Sequence, residues 1–123
     1  WHTLSLHDAL PILINSAVFH AGFLTGGRYF DYRTPDPAAA ADKPLFAFRD
    51  RFVALCEAHG VAPAAACVQF ALSPPGMHAV ALNTSRPARV RQNVALVEAD
   101  IPQGFWTACK DEGLIDRDYP YLG

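Results

Sequence analysis

The sequence predicts an α/β fold in which two parallel strands are joined by helical crossovers. Three observations carry that prediction. Residues 13–19 (LINSAVF) and 77–82 (MHAVAL) are short apolar runs of strand length. Between and after them, apolar residues recur at helical spacing. Glycine and proline punctuate each of those stretches where helices stop and start.

The first run combines β-branched and aromatic residues and reads as a buried strand. It leads into a polar loop that begins at His20 and carries Gly22, Gly26 and Gly27. Pro35, Pro37 and Pro44 forbid regular structure until about Asp42. A loop of that length in a compact domain is usually a functional lid or a disordered segment. From Pro44, the residues Leu45, Phe48, Phe52 and Leu55 form the apolar face of a first helix, which Gly60 stops. Pro63 starts a second helix through residues 64–72, with Val68 and Leu72 on one face, and Ser73-Pro74-Pro75-Gly76 ends it. The second strand, residues 77–82, runs directly into Asn83-Thr84-Ser85-Arg86. Pro87 opens a helix whose Val90, Val94 and Val97 share a face. The last helix starts near Pro102, buries Phe105, Trp106 and Cys109, and stops at Gly113; the tail from Asp116 reads as an unanchored terminus. Strands separated by helical crossovers pair in parallel through right-handed connections. Two such units cannot close a sheet, so strand edges remain open.

Composition narrows the function classes. In 123 residues, 10 Lys+Arg stand against 12 Asp+Glu, a net charge of −2, which excludes nucleic-acid binding through bulk positive charge. A hydrophobic share of 51% with 18% charged residues excludes a disordered chain and requires a large core. Asn15, His20 and Arg28 interrupt the apolar runs before any reaches the roughly 18–20 residues of a membrane span. The expectation is a soluble, cytoplasmic protein with no membrane or nucleic-acid partner. Cys56, Cys67 and Cys109 are an odd number without metal-ligand spacing, which points to reduced, buried thiols and to no metal site.

The N-terminus is set apart. Residues 3–12, TLSLHDALPI, are the in-frame translation of a common sequencing-library adapter, the alternative being an amphipathic segment capped by Asp8. Residues 1–12 are therefore read as non-native, and His2, His7 and Asp8 are set aside as metal or acid–base candidates. Genuine protein, residues 13–123, is expected to begin near Leu13. A start at Trp1, a single methionine at Met77 and the missing partner strands predict a fragment of a longer protein.

Chemistry could sit at several places. Asn83-Thr84-Ser85-Arg86 joins a strand to a Pro-initiated helix bearing Arg89 and Arg91. Unpaired N–H groups, cap hydroxyls and an arginine there suit a phosphate, although an ordinary capped helix with solvated arginines has the same sequence. The Gly22-to-Gly27 loop could admit a pyrophosphate but lacks the GxGxxG pattern. His20 follows the first strand at the end where barrel enzymes place active-site groups, or it is simply packed by neighbours. His59 is placed to interact with the C-terminus of the first helix, and His78 reads as a packed strand residue. Cys67 and His59 show no third group or oxyanion feature that would make them a nucleophile and base. Tyr29, Phe30 and Tyr32 either cover a ligand or anchor the loop.

NSAVFHAGFLTGG (15–27), EAHGVAPAAACVQFAL (57–72) and SRPARVRQNV (85–94) resemble the last third of aldo-keto reductases. GGRYFDYR (26–33) and FWTACKDEGLI (105–115) resemble the L-fucose dehydrogenase, or D-threo-aldose 1-dehydrogenase, branch of that family. The resemblance covers nearly everything after residue 12. It implies a (β/α)8 TIM barrel, of which this chain would be a C-terminal fragment supplying strands seven and eight with their helices; such barrels take about 250 residues. It also implies a nicotinamide cofactor, NAD or NADP, and a small sugar or aldehyde substrate. The loop from Ser16 to Gly26, with Gly22 and Leu24, would lie along the pyrophosphate. Residues 83–93 would hold the adenosine end, with Asn83, Thr84, Arg89, Gln92 and Asn93 at family cofactor positions.

Two departures from the family pattern matter. Asn83 stands where many NADP-preferring relatives carry a basic residue, and Gln92 where Glu is usual. Arg89 can still engage a 2′-phosphate, so NAD is favoured and NADP retained. The family's catalytic Asp, Tyr, Lys and His have no matching position in this chain. No residue is therefore assigned a catalytic role, and the chain alone is expected to be inactive. The resemblance implies a parent that oxidises L-fucose or a related aldose at C1, or reduces an aldehyde. A non-enzymatic half-barrel module that recognises a nucleotide or a protein is the alternative.

Overall fold

The computed structural model describes residues 12–123. Residues 1–11, most of the adapter-like segment with His2, His7 and Asp8, lie outside the described residues. The chain runs β1 (Leu13–Asn15), a short 3-10 turn (Phe23–Thr25), α1 (Lys43–His59), α2 (Pro63–Leu72), β2 (Met77–Val80), α3 (Ala88–Val97) and α4 (Gln103–Asp111). β1 and β2 pair in parallel, with Leu13 opposite Met77, Ile14 opposite Ala79 and Asn15 opposite Val80. Among the described residues the result is an α/β fold with a two-stranded parallel sheet and four helices, an open arrangement like part of a barrel.

Helix boundaries follow the local chemistry. Pro44 and Pro63 occupy the first turns of α1 and α2, where a missing N–H costs nothing. Gly60, at φ 64°, donates its N–H to the last carbonyls of α1, a left-handed cap that an L side chain would strain. The core forms where α1, α2 and α4 meet: Phe52 and Cys56, then Val61, Ala66 and Cys67, then Phe105, Trp106 and Cys109. Phe105 and Trp106 meet edge to face at 5.0 Å.

The strands are shorter and more exposed than expected. β1 ends at Asn15, whose Nδ2 donates to the Ala71 carbonyl at 3.2 Å while its Oδ1 accepts the Ser16 N–H at 2.9 Å. Ala17 then takes a left-handed φ of 56°, which leaves the strand region. β2 ends at Val80, after which the Ala81 N–H reaches the last carbonyl of β1 at 2.8 Å. Leu13 and Ile14 stand 45% and 62% exposed, because among the described residues each strand has one neighbour and the sheet faces lack the covering that buries parallel strands.

Two further expectations are corrected, those for His78 and for the C-terminal tail. His78 is exposed, and its Nδ1 accepts the Leu13 N–H at 3.2 Å beside the register irregularity between Leu13 and Ile14. Val90, Val94 and Val97 share a face of α3, as their spacing predicts, and that face is open; α3 has no buried residue. What ties α3 down is Gln69 of α2, whose Nε2 donates to the Leu96 and Val97 carbonyls at 2.9 and 2.8 Å. His59 stands in the last turn of α1, as expected, and also meets Phe105 edge-on at 5.9 Å. The tail is anchored: Tyr119 shares a 2.5 Å hydrogen bond with Ser73 and packs on Phe70, and Leu122 reaches the core.

The three cysteines are free and buried, as their number and spacing predict. Burial pushes the Cys56 and Cys67 thiols up to about 12 and Cys109 to about 11. Each group is therefore neutral throughout the ordinary pH range, and the thiolate is the reactive form. Iodoacetamide at about pH 8.5, the value for a free thiol, should label the three cysteines at least tenfold more slowly in the folded chain than in urea. Equal rates by mass spectrometry would show that the core opens freely.

Candidate functional site

Both strands point their C-terminal ends at one cleft of about 1300 Å³. The chain leaving β1 forms one wall with residues 16–22, Thr25, Asp31 and Tyr32. The chain leaving β2 forms another with residues 81–84, continued by Arg89, Gln92, Asn93 and Leu96 of α3. The fold thus brings together Ser16, Gly22, Asn83, Thr84, Arg89, Gln92 and Asn93, which lie on three separate stretches of sequence. Leu24 and Gly26 lie off this cleft. Leu24 packs against the core and lines a neighbouring apolar cavity of about 530 Å³, and Gly26 is the left-handed cap of the 3-10 turn.

The Gly22–Gly27 loop is held by its own backbone. The Gly22 carbonyl accepts N–H bonds from Thr25 at 3.1 Å and Gly27 at 2.8 Å, and the Thr25 hydroxyl at 3.0 Å. A Cβ at Gly27 would sit 2.9 Å from that carbonyl oxygen, so only glycine closes the loop this tightly. Phe23 locks it from below, fully buried and edge-on to Phe30 and Phe46, with the Arg49 guanidinium 4.6 Å above its ring.

Backbone strain is concentrated here. Among the described residues, the non-glycine positions with positive φ are Ala17 (56°), His20 (49°), Ala21 (58°) and Asp31 (52°), and all of them line the cleft. Each such residue costs of order 1–3 kcal/mol and persists only where its surroundings over-determine it. Turn hydrogen bonds do so: His20 N–H to Ala17, Gly22 N–H to Phe19, and both Phe23 and Asp31 N–H to the His20 carbonyl.

His20 proves to be a wall residue. Its Nδ1 lies 3.3 and 3.4 Å from the two Asp31 carboxylate oxygens, and its ring stacks on Phe30 at 5.0 Å and 15°. The aromatic cluster therefore divides: Phe30 anchors the loop, whereas Tyr32 is fully exposed at the cleft. Asp31 was not singled out by the sequence, since its partner is 11 residues away and no motif joins them. On the other wall the polar side chains are neutral or cationic, beside apolar Leu82 and Leu96. Arg89, Gln92 and Asn83 are exposed, and Thr84 Oγ1 accepts the Arg86 N–H at 3.1 Å in the turn before α3. Among the described residues no three His, Cys, Asp or Glu side chains gather as a metal site would require. No single described helix is long and apolar enough to cross a membrane.

A parallel strand pair opening a cleft at its C-terminal ends is the arrangement by which α/β enzymes hold cofactors and substrates. The family comparison agrees: the aldo/keto reductase family model matches residues 11–112, and the chain belongs to that family. It is 34% identical over 107 residues to a pyridoxal 4-dehydrogenase of Microbacterium luteolum, covering 84% of this chain and 30% of that protein. It is 30% identical over 109 residues to a D-threo-aldose 1-dehydrogenase of a Pseudomonas species, covering 84% and 31%. The chain thus spans under a third of the length of these curated relatives. None of the solved structures matches it.

The wall that carries Asp31 and Tyr32 is fastened by a nearby clasp. Buried Asp42 accepts the Arg33 guanidinium at 2.6 Å and the Asp36 N–H at 2.9 Å. The Asp36 N–H first, then Arg33, holds the Asp42 carboxyl below the usual carboxylate range. A carboxyl lowered on folding contributes stability that is present above its unfolded value of about 3.9 and is lost as pH falls through the lower folded value. Protection of the Asp36 amide against hydrogen exchange should therefore be high near neutral pH and vanish in acid. Asp42→Asn should lower it at neutral pH as well; protection unchanged by both would show that the clasp carries no load.

Proposed function

We propose that this chain is the cofactor-binding C-terminal part of an NAD(P)-dependent oxidoreductase, with NAD favoured. The observation that carries the reading is the meeting of Ser16, Gly22, Asn83, Thr84, Arg89, Gln92 and Asn93 around one cleft. Family membership supports a nicotinamide cofactor. The donor chemistry fits it: Arg89 with the amides of Asn83, Gln92 and Asn93 offers cationic and neutral donors, as an adenosine phosphate requires. The tight glycine loop supplies a wall without long side chains beside Ser16.

When bound, the nicotinamide ring supplies hydride acceptance or donation. This chain's residues do the holding. Arg89 and its neighbours fix the adenosine end, and the Ser16–Gly22 loop fixes the middle of the cofactor. The proton-transfer groups belong to the remainder of a (β/α)8 barrel in which β1 and β2 are strands seven and eight. The substrate is an aldose oxidised at C1, L-fucose or a related sugar, or an aldehyde reduced in the reverse direction. The names of the two relatives, one for pyridoxal and one for an aldose, both denote aldehyde-level carbon and support that class. A cytoplasmic location suits such an enzyme.

Calorimetric titration of NAD and NADP onto the chain at fixed ionic strength tests the site. Arg89→Ala should weaken NADP about tenfold to a hundredfold more than NAD, the worth of a charge-assisted hydrogen bond to the extra phosphate. Asn83→Lys should shift preference toward NADP. Equal losses for both cofactors in Arg89→Ala would remove Arg89 from the 2′ position. The chain by itself should oxidise no L-fucose with either cofactor; turnover that survives repurification would place the proton-transfer groups within it.

A further inference from the structure

We infer that Gln69 is a positioning residue for the cofactor: from outside the cleft it sets the angle of α3, and through that helix the placement of Arg89, Gln92 and Asn93. This rests on the cleft being the cofactor site proposed above. Gln69 belongs to α2 and does not line the cleft, yet its Nε2 donates to the carbonyls of Leu96 and Val97 at 2.9 and 2.8 Å. Carbonyls only accept, so the amide nitrogen is the atom that faces them, and its two hydrogens serve one carbonyl each.

α3 depends on that contact because little else holds it. The last four carbonyls of a helix have no partner within it. Left-handed Gly60 closes α1, whereas the C-cap of α3 is Glu98 at φ −89°, and the Gln69 amide does the work of a cap from the neighbouring helix. No residue of α3 is buried, so apolar packing holds the helix weakly. Among the described residues, the two Gln69 bonds are the hydrogen bonds that reach α3 from another helix or strand. α3 is thus fixed at its N-terminal end by the chain leaving β2 and at its C-terminal end by Gln69. A helix of ten residues moves as a rod, so a swing at Leu96 displaces Arg89, about 10 Å away along the axis. A guanidinium bond to phosphate holds at about 2.7–2.9 Å, and a displacement of about 1 Å removes it. Leu96 itself lines the cleft, so the tied turn is also part of the cofactor wall.

The test is calorimetric titration of NAD and NADP onto the 123-residue chain, in a cycle that pairs Gln69→Met with Arg89→Ala. Met keeps the length of the side chain and removes both donors. Gln69→Met should weaken NADP about tenfold, the scale of one hydrogen bond, and NAD less. In that background Arg89→Ala should weaken NADP severalfold less than it does in the wild-type chain. Substitutions this far apart with no shared partner add, so a loss at Gln69 that merely loosened the fold would leave the Arg89 effect whole. Gln69→Lys, whose ammonium also donates to a helix end, should restore NADP to within about threefold of wild type. If Gln69→Met does not fold, the Lys variant is set against Gln69→Glu, which keeps the length but turns a carboxylate on the carbonyls and should bind NADP about tenfold more weakly. Additive effects in the cycle, or a Lys variant as weak as the Met or Glu variant, overturn the inference while wild-type NADP binding leaves the cofactor reading standing. A wild-type chain that binds neither cofactor overturns both.

Discussion

Everything in this molecule hangs from the mutual burial of α1, α2 and α4. A two-stranded sheet is marginal by itself, and here its strands are three and four residues long. The helices supply what the sheet cannot. Phe105 and Trp106 of α4 fill the space between α1 and α2, with the buried thiols of Cys56, Cys67 and Cys109 packed as small apolar groups around them. β1 is then fastened to this core by Asn15, which bonds the Ala71 carbonyl at the end of α2. Because the strand ends set the position of the cleft, helix packing fixes the site geometry at one remove.

The long loop before α1 is ordered by the same logic carried out with side chains. Its glycines and prolines deny it regular structure, yet fully buried Phe23 anchors it through Phe30, Phe46 and the guanidinium of Arg49. The Asp42 clasp closes its far end. Between those two fastenings the backbone can hold Asp31 in a left-handed conformation that a free loop would relax. A rigid wall made from a turn-rich segment is what a binding surface needs, since its groups then require no ordering when a ligand enters.

The cleft unites a cationic, amide-bearing wall on α3 with an imidazole–carboxylate wall on the loop after β1. Membership of the aldo/keto reductase family gives that polarity a context. Apolar residues on Ile12, Leu13, Ile14 and the Val90, Val94, Val97 face stay exposed, as an unclosed sheet with one uncovered helix face dictates. The charged cleft and the apolar open faces lie on the same two strand–helix units, so recognition and unclosed packing are parts of one architecture.

The sequence by itself determined the features that short-range chemistry controls. Pro44, Gly60 and Pro63 mark the ends of α1 and the start of α2; the α4 face of Phe105, Trp106 and Cys109 is buried as its spacing requires; and the cysteines are free thiols. Seven of the nine residues that the motif resemblance picked out line the cleft, because they sit just past strand ends or at a helix start. Only the tertiary structure decided the rest. The length of β1 depends on Asn15 finding a carbonyl 56 residues away, the docking of the tail on Tyr119 meeting Ser73 46 residues away, and the His20–Asp31 pair on a loop folded back by Phe23. Local sequence fixes backbone preference within a turn or two; exposure, strand length and side-chain pairing are set by whichever distant surfaces the core brings into contact.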